Sequence, residues 1–215
     1  MAFPTTGLID DFLRSNSPTL GLSWVEGDCE PDEPAGDYFA IASNTASNDS
    51  GISSSARWNG ATYGPDCEVY ATMSSVPVLD GDRFMLYARI VQPGNDTFDG
   101  YALCLRLTGA QLEFRLIRWD NGVRTDIATQ AVTFVAGNKM GLEIIGSTLK
   151  GYRFNGSVWS QEITVVDANH GAAGYLGFGD SLGDGPMTID DFSGGTVAAA
   201  GVTTYPVVEI IADFV

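Results

Sequence analysis

Residues 81–122 read GDRFMLYARIVQPGNDTFDGYALCLRLTGAQLEFRLIRWDNG, with apolar side chains recurring at every second position. Successive side chains on an extended chain point to opposite sides, so a period of two marks strands rather than helices. In RFMLYARIV, Phe84, Leu86, Ala88 and Ile90 share one side, and Arg83 and Arg89 take the other. In YALCLRL, Tyr101, Leu103, Leu105 and Leu107 align, with Arg106 opposite. QLEFRLIRW sets Leu112, Phe114 and Leu116 against Glu113 and Arg115. One apolar and one polar face per run predicts half-buried antiparallel strands of a single meander.

The flanking text agrees. Asn121-Gly122 separates the third run from VRTDIATQAVTF, and Asn155-Gly156 separates TLKGYRF from SVWSQEITVV. Asn-Gly accepts the positive φ angles of tight hairpins, so a hairpin turn is predicted at each. IIGSTLK carries a further turn, after Leu142–Ile145. Residues 27–59 are polar, with Pro and Ser, and predict mostly loop with one short strand near Tyr38–Ile41. Helical periodicity is hard to find, and Gly 26 and Pro 9 among 215 residues supply turns for many short strands. Hydrophobic content of 44% against 18% charged describes a globular chain, long enough for one well-buried domain. Regularly spaced strands with such punctuation predict an all-β sandwich or barrel.

The tetrapeptide Ile-Asp-Asp-Phe occurs twice, at Ile9–Phe12 and at Ile189–Phe192. Between the copies come GLSWVEG, VYATM, GDRFMLYARI, GYALCLRL, LEFRLIRWDNG, GLEIIGSTLKGYRFNG and GYLGFGD, in that order. With them the chain resembles the concanavalin A-like, laminin-G-like jelly roll of the lectin/glucanase superfamily, from Gly7 to Gly195. The resemblance implies an antiparallel β-sandwich whose first and last strands lie side by side. One tetrapeptide would then stand at both ends because the two places are neighbours. The resemblance also implies a sandwich over residues 1–195, with 196–215 as a short C-terminal extension, and gives Trp24 a packing position.

A formal charge of −16 excludes nucleic acid and anionic membrane as direct partners, since both need a basic footprint. No apolar run is long enough to span a bilayer, so membrane insertion is not expected. MAFPTTGLIDDF lacks the basic and apolar regions of a signal peptide, so none is expected. Cys104 reads as a small buried hydrophobe, whereas Cys29 and Cys67 sit in loop-like text and could pair only in an oxidising setting. The resemblance to glucanases raises catalysis, which there needs carboxylates at alternate strand positions. Here CEPDEPAGD (Glu30, Asp32, Glu33) is broken by prolines, and DCEVY offers only Asp66 and Glu68. No enzyme is expected. His170, beside Asp167 in DANHGAAG, is expected to be an exposed turn residue.

Three groups remain as candidate sites. Neighbouring copies of the tetrapeptide gather Asp10, Asp11, Asp190 and Asp191, with Asp184 and Asp180 upstream. Alternation puts a carboxylate on the core side of each copy, which either binds a hard cation or caps backbone and pairs with Arg14. A structural Ca²⁺ is the one cofactor this pattern admits. Trp58 and Tyr63, in ARWNGATYG, are the loop aromatics nominated for glycan binding, with core packing as the alternative. The end of the chain carries Val207, Val208, Ile210, Ile211, Phe214 and Val215, an apolar set that either packs back or joins another subunit. The start of the chain, running straight into such a domain, is similar to bacteriophage structural proteins. That resemblance implies a capsid decoration or head-fibre protein at the virion surface, with the major capsid protein, other virion proteins and further copies of the chain as partners. The alternative is a carbohydrate-binding lectin-like module for cell-surface glycans, and the third reading a glycoside hydrolase.

Overall fold

The computed structural model describes residues 2–27, 39–48, 53–91, 97–181 and 187–198. Its strands form two antiparallel sheets. The eight-stranded sheet runs, in spatial order, Trp159–Val166 (β13), Thr148–Phe154 (β12), Lys139–Ile145 (β11), Cys67–Met73 (β6), Met187–Thr196 (β15), Thr45–Asn48 (β4) and Ala40–Ala42 (β3). Gly7–Asp10 (β1) also pairs with β15. The seven-stranded sheet runs Val123–Ala131 (β10), Gln111–Asp120 (β9), Asp99–Thr108 (β8), Arg83–Val91 (β7), Tyr175–Ser181 (β14), Ser54–Trp58 (β5) and Trp24–Glu26 (β2). The meander read from residues 81–122 is β7, β8 and β9, paired as expected.

Between the sheets lies the core, where Phe12, Phe39, Phe84, Phe114, Phe178 and Phe192 are fully buried among aliphatic side chains from both layers. Burying a large apolar side chain contributes about 1.5–3 kcal/mol, so this layer dominates the driving force. A second apolar cluster covers the other face of the seven-stranded sheet: Met85, Tyr87, Ile90, Phe98, Ala102, Cys104, Ile117 and Trp119. The strands of the meander are therefore buried on both faces there, not half-buried.

The tetrapeptides are neighbours. Gly7 pairs with Gly194, Leu8 with Ser193 and Asp10 with Phe192. Strict alternation fails inside both copies, however. The register shifts between Leu8 and Asp10 and between Asp190 and Ser193, and Phe12 and Asp191 have φ of 52° and 53°. A bulge adds one residue to a strand and re-aims the side chains beyond it. Ile189 and Phe192 can then both enter the core, as Phe12 does, with Ile9 packed against it. The expectation that a carboxylate must share the core side therefore fails in the second copy, whereas Asp10 of the first does reach the core's edge, where it accepts the Trp24 indole.

A third bulge corrects the reading of RFMLYARIV. Between Ala88 and Val91 the pairing shifts and Arg89 takes φ 54°. Ile90 joins the outer cluster instead of the core, and Arg89, expected on a solvent face, is 1% exposed.

Asn121 and Gly122, with φ of 49° and 77°, form the two-residue turn between paired Asp120 and Val123. Asn155-Gly156 also lies in a hairpin, but the loop has four residues, from Asn155 to Val158, between paired Phe154 and Trp159. The Asn155 side chain accepts the Ser157 and Val158 amides, each at 3.0 Å, and that closes the longer loop. Among the described residues of 27–59 there are three strands, β3, β4 and β5, where one was expected. Their signal is hidden because small polar side chains are buried there, Ser54 and Ser55 completely and Ser47 and Asn48 nearly so. Finally, β15 runs through Thr196 and Val197 is buried, so the sandwich extends past Gly195.

Candidate functional site

The clustered aspartates are spent on structure. Both oxygens of Asp10 are occupied: Oδ1 accepts Arg14 Nη1 at 2.6 Å and the Phe12 amide at 2.8 Å, and Oδ2 accepts Arg14 Nη2 at 3.0 Å and Trp24 Nε1 at 2.8 Å. Burial pushes this carboxyl up, but the bonds from Arg14, Trp24 and the Phe12 amide outweigh burial and hold it below its ordinary value. Asp11 caps the Leu13 amide, and Asp191 pairs with Lys139 at 3.1 Å and accepts Thr72 Oγ1 at 3.2 Å. Asp190 is raised, chiefly by burial, with Asp191 and Asp11 adding repulsion. Among the described residues, no three of His, Cys, Asp or Glu are placed to hold a metal ion. With its lone pairs already taken, Asp10 does not suit a Ca²⁺ ligand. Asp184 lies outside the described residues, as do Cys29 and the apolar set Val207, Val208, Ile210, Ile211, Phe214 and Val215. Cys67 is a buried free thiol, which burial pushes up to about 12.

Trp58 and Tyr63 do come together, the tyrosine hydroxyl being hydrogen-bonded by Trp58 and raised by burial. Trp58 lies edge-on to Trp24 at 5.4 Å, and both nominated rings pack against the core. Tyr63 is also tied to Gly174 by a reciprocal backbone pair, at 2.7 and 2.9 Å. Their faces serve packing more than they offer an open platform.

Arg89 builds the loop end of the sandwich, unseen in the sequence because nothing local marks the bulge. Its guanidinium donates to the carbonyls of Pro65, His170 and Gly146 at 2.7, 2.6 and 2.8 Å, so one side chain ties three loops together. Asp66 accepts the Gly146 amide at 2.7 Å and lies 3.9 Å from Arg89. A cavity of about 240 Å³ opens here, lined by Asp66, Arg89, Ser147 and Gly171 among others. Beside it, Tyr101 donates to Asp167 Oδ1 and Arg118 to Oδ2, each at 2.6 Å. Burial, then the bond to Asp167, pushes the Tyr101 hydroxyl up to about 12. His170, expected to be exposed, has a side chain only 13% accessible and donates through Nε2 to Trp119 O at 2.7 Å, with Asp120 at 3.1 Å. The loop end is a bracing network.

The candidate surface lies instead on the outer face of the eight-stranded sheet. Alternation turns Glu68 and Tyr70 of β6, Glu143 of β11, and Lys150 and Tyr152 of β12 away from the core, opposite Val69, Leu142 and Leu149. Glu68 and Glu143 are direct cross-strand partners, and so are Glu143 and Lys150. Glu143 accepts Lys150 Nζ at 2.8 Å and the Tyr152 hydroxyl at 3.2 Å. Burial, then the Glu143 charge, raises the Tyr152 hydroxyl, and the bond to Glu143 is the first cause that raises Lys150. Glu143, Ile145, Thr148, Lys150 and Val197 line an open cleft of about 250 Å³. Next to it stands Tyr152, bonded to Glu143, with Tyr70 and Trp159 in contact with each other further along. Reading the sequence in order could not assemble this surface, because its residues come from β6, β11, β12 and β13, with Val197 beyond β15.

No protein-family model matches the chain, and the search of curated proteins returned no match. Solved structures do match over nearly the whole chain. The VIP36 exoplasmic/lumenal domain, in a form bound to Ca²⁺ and Man2, superposes with a TM-score of 0.63 at 12% identity, covering 87% of this chain and 88% of that one. The sandwich is lectin-like. A legume lectin-like domain from Entamoeba histolytica gives 0.55 at 10% identity, covering 82% and 91%. The carbohydrate-binding module CBM66 from Bacillus subtilis gives 0.58 at 13% identity, covering 83% and 99%. The GH43 protein BlXynB from Bacillus licheniformis, as a mutant, gives 0.55 at 14% identity, with 86% of this chain on 38% of that chain.

Proposed function

We propose that the protein is a non-catalytic carbohydrate-binding module that takes a sugar ring in the cleft on the outer face of the eight-stranded sheet. The cleft's composition carries this reading: a carboxylate, an ammonium and a hydroxyl (Glu143, Lys150, Thr148) converge over apolar Ile145 and Val197. A pyranose has the complementary make-up, with hydroxyls around a ring whose C–H faces are apolar. At about 250 Å³ the cleft is below the usual size of roughly 300–1,000 Å³ for drug-sized ligands, which suits one ring. The sugar-bound form of VIP36 and the carbohydrate-binding module CBM66, both similar in fold, support the same reading over the virion-surface one. The fold adds no observation of its own to the virion role.

Binding without turnover fits the carboxylates. A glycosidase needs two carboxyl groups facing one sugar, about 5–5.5 or 6.5–9.5 Å apart. Asp66 stands at the loop end beside Arg89, and although Glu68 and Glu143 are cross-strand neighbours on the outer face, Glu68 is buried there and accepts the Thr5 and Thr6 amides. Glu143 is held by Lys150 and Tyr152.

A glycan array followed by calorimetry tests the proposal. Wild-type protein should bind at least one saccharide, and Lys150→Met or Thr148→Val should weaken it, the former by about tenfold or more, since hydrogen bonds to charged groups contribute about 1.5–3 kcal/mol. An array without binders, or variants that bind as wild type does, would refute it.

A further inference from the structure

Beside the cleft, the aromatic floor is covered by the chain itself. Phe3 lies parallel to Tyr152 with ring centroids 4.2 Å apart, and meets Trp159 edge-on at 4.8 Å and Tyr70 at 5.9 Å. Gly141 makes the room: a Cβ there would come within 2.7 Å of Phe3 Cε1. The next residues are held by one carboxylate oxygen. Glu68 Oε1 accepts the Thr5 amide at 2.6 Å, the Thr6 amide at 2.5 Å and Thr6 Oγ1 at 2.7 Å, while Tyr70 donates to Thr6 O at 2.6 Å. Glu68 is fully buried, yet its Oε2 has no hydrogen-bond partner. A buried acceptor left unmet costs free energy, so this seat holds an occupant that does not satisfy it.

We propose that residues Phe3–Thr6 are a displaceable strap, and that the Phe3 seat is a second sugar subsite, opened when an oligosaccharide displaces the ring. The inference rests on the carbohydrate-binding reading of the adjoining cleft. The two places share a wall, since Tyr152 stacks on Phe3 and donates to Glu143 of the cleft. A ring reaching on from the cleft would exchange the Phe3 contact for stacking of its C–H face on Tyr152, and a hydroxyl of it would meet Glu68 Oε2. The strap precedes β1 and belongs to neither sheet, so lifting it breaks no strand pairing.

Calorimetry with a monosaccharide and its tri- or tetrasaccharide, taken from the array, tests this on wild type and Phe3→Ala. The oligosaccharide should bind Phe3→Ala about tenfold tighter or more, the factor by which a seat open one-tenth of the time depresses apparent affinity. The monosaccharide should bind both proteins equally. A synthetic Ala-Phe-Pro-Thr-Thr peptide, added in excess to Phe3→Ala, should reverse the gain. If Phe3→Ala does not fold, Thr6→Pro replaces it, removing two donors to Glu68, the Thr6 amide and hydroxyl, while leaving every cleft residue in place. An unchanged oligosaccharide affinity, with Lys150-dependent monosaccharide binding retained, overturns the strap and leaves the cleft standing. Peptide binding without any gain for oligosaccharides would make the seat a peptide site and also overturn it. If no saccharide binds either protein, the carbohydrate reading falls and the strap with it.

Discussion

Replacing Arg89 with methionine keeps most of the side chain's apolar volume and removes every donor. In the native protein the residue is 1% exposed and its three bonds reach carbonyls in three separate loops, at Pro65, Gly146 and His170. Each carbonyl left buried without a partner costs roughly 1–3 kcal/mol, and some will recover water at the cavity mouth. Removing one side of a buried charged contact costs about 3–5 kcal/mol, and that range is expected here. Against a total stability of about 5–15 kcal/mol this is a large fraction. At about 2–4 °C per kcal/mol for a chain of this size, the melting midpoint should fall by about 6–20 °C. Urea unfolding followed by tryptophan fluorescence checks it: the midpoint should drop while the slope stays constant. Arg89→Lys keeps the charge but cannot span three diverging carbonyls, so it should recover less than half the loss. A methionine variant within about 1 kcal/mol of wild type would refute the clamp.

Acid should unfold the protein partly through Asp10 and Asp167. Both carboxyls sit below their ordinary value, where bonds from Arg14, Trp24 and Phe12, and from Tyr101, Asn169 and Arg118, outweigh burial. Their stabilisation is complete above the unfolded value of about 3.9 and is lost as pH falls through the folded one, so Asp10→Asn should flatten a melting profile between about pH 5 and 2. Asp190, raised by burial, works with the opposite sign: its contribution is complete below the unfolded value and lost as pH rises, so Asp190→Asn should stabilise above about pH 5. Gly122→Ala should cost about 1 kcal/mol or more by urea unfolding, because φ of 77° in the Asn121-Gly122 turn strains any Cβ; an unchanged midpoint would contradict that geometry. Cys67, fully buried with its thiol raised to about 12, should not react with a disulfide reagent until the protein unfolds, and rapid native labelling would show the burial to be wrong.

Much of the architecture is written in local pattern. The period of two in residues 81–122, the Asn121-Gly122 turn and the paired tetrapeptides predict the meander, a hairpin and the closure of the sandwich, because strand faces and turn angles are set by adjacent residues. Bulges broke that logic at Arg89 and Asp191, where one extra residue reverses the side-chain direction and leaves no local trace. Hence alternation alone predicts a solvent-facing Arg89 and a core-facing carboxylate in the second tetrapeptide, and neither is found. In residues 39–58 the strands bury Ala, Ser and Asn, which look like loop in composition, and only their partners across the sheet reveal them. The cleft and its strap lie furthest from a linear reading. Glu143, Lys150 and Trp159 follow one another through consecutive hairpins, but Tyr70 and Glu68 join them only through the long-range pairing of β6 with β11, and Phe3 reaches Tyr152 across most of the chain. Periodicity says which side of a strand a residue faces; which strand lies next to it is decided by how the two sheets close over one core.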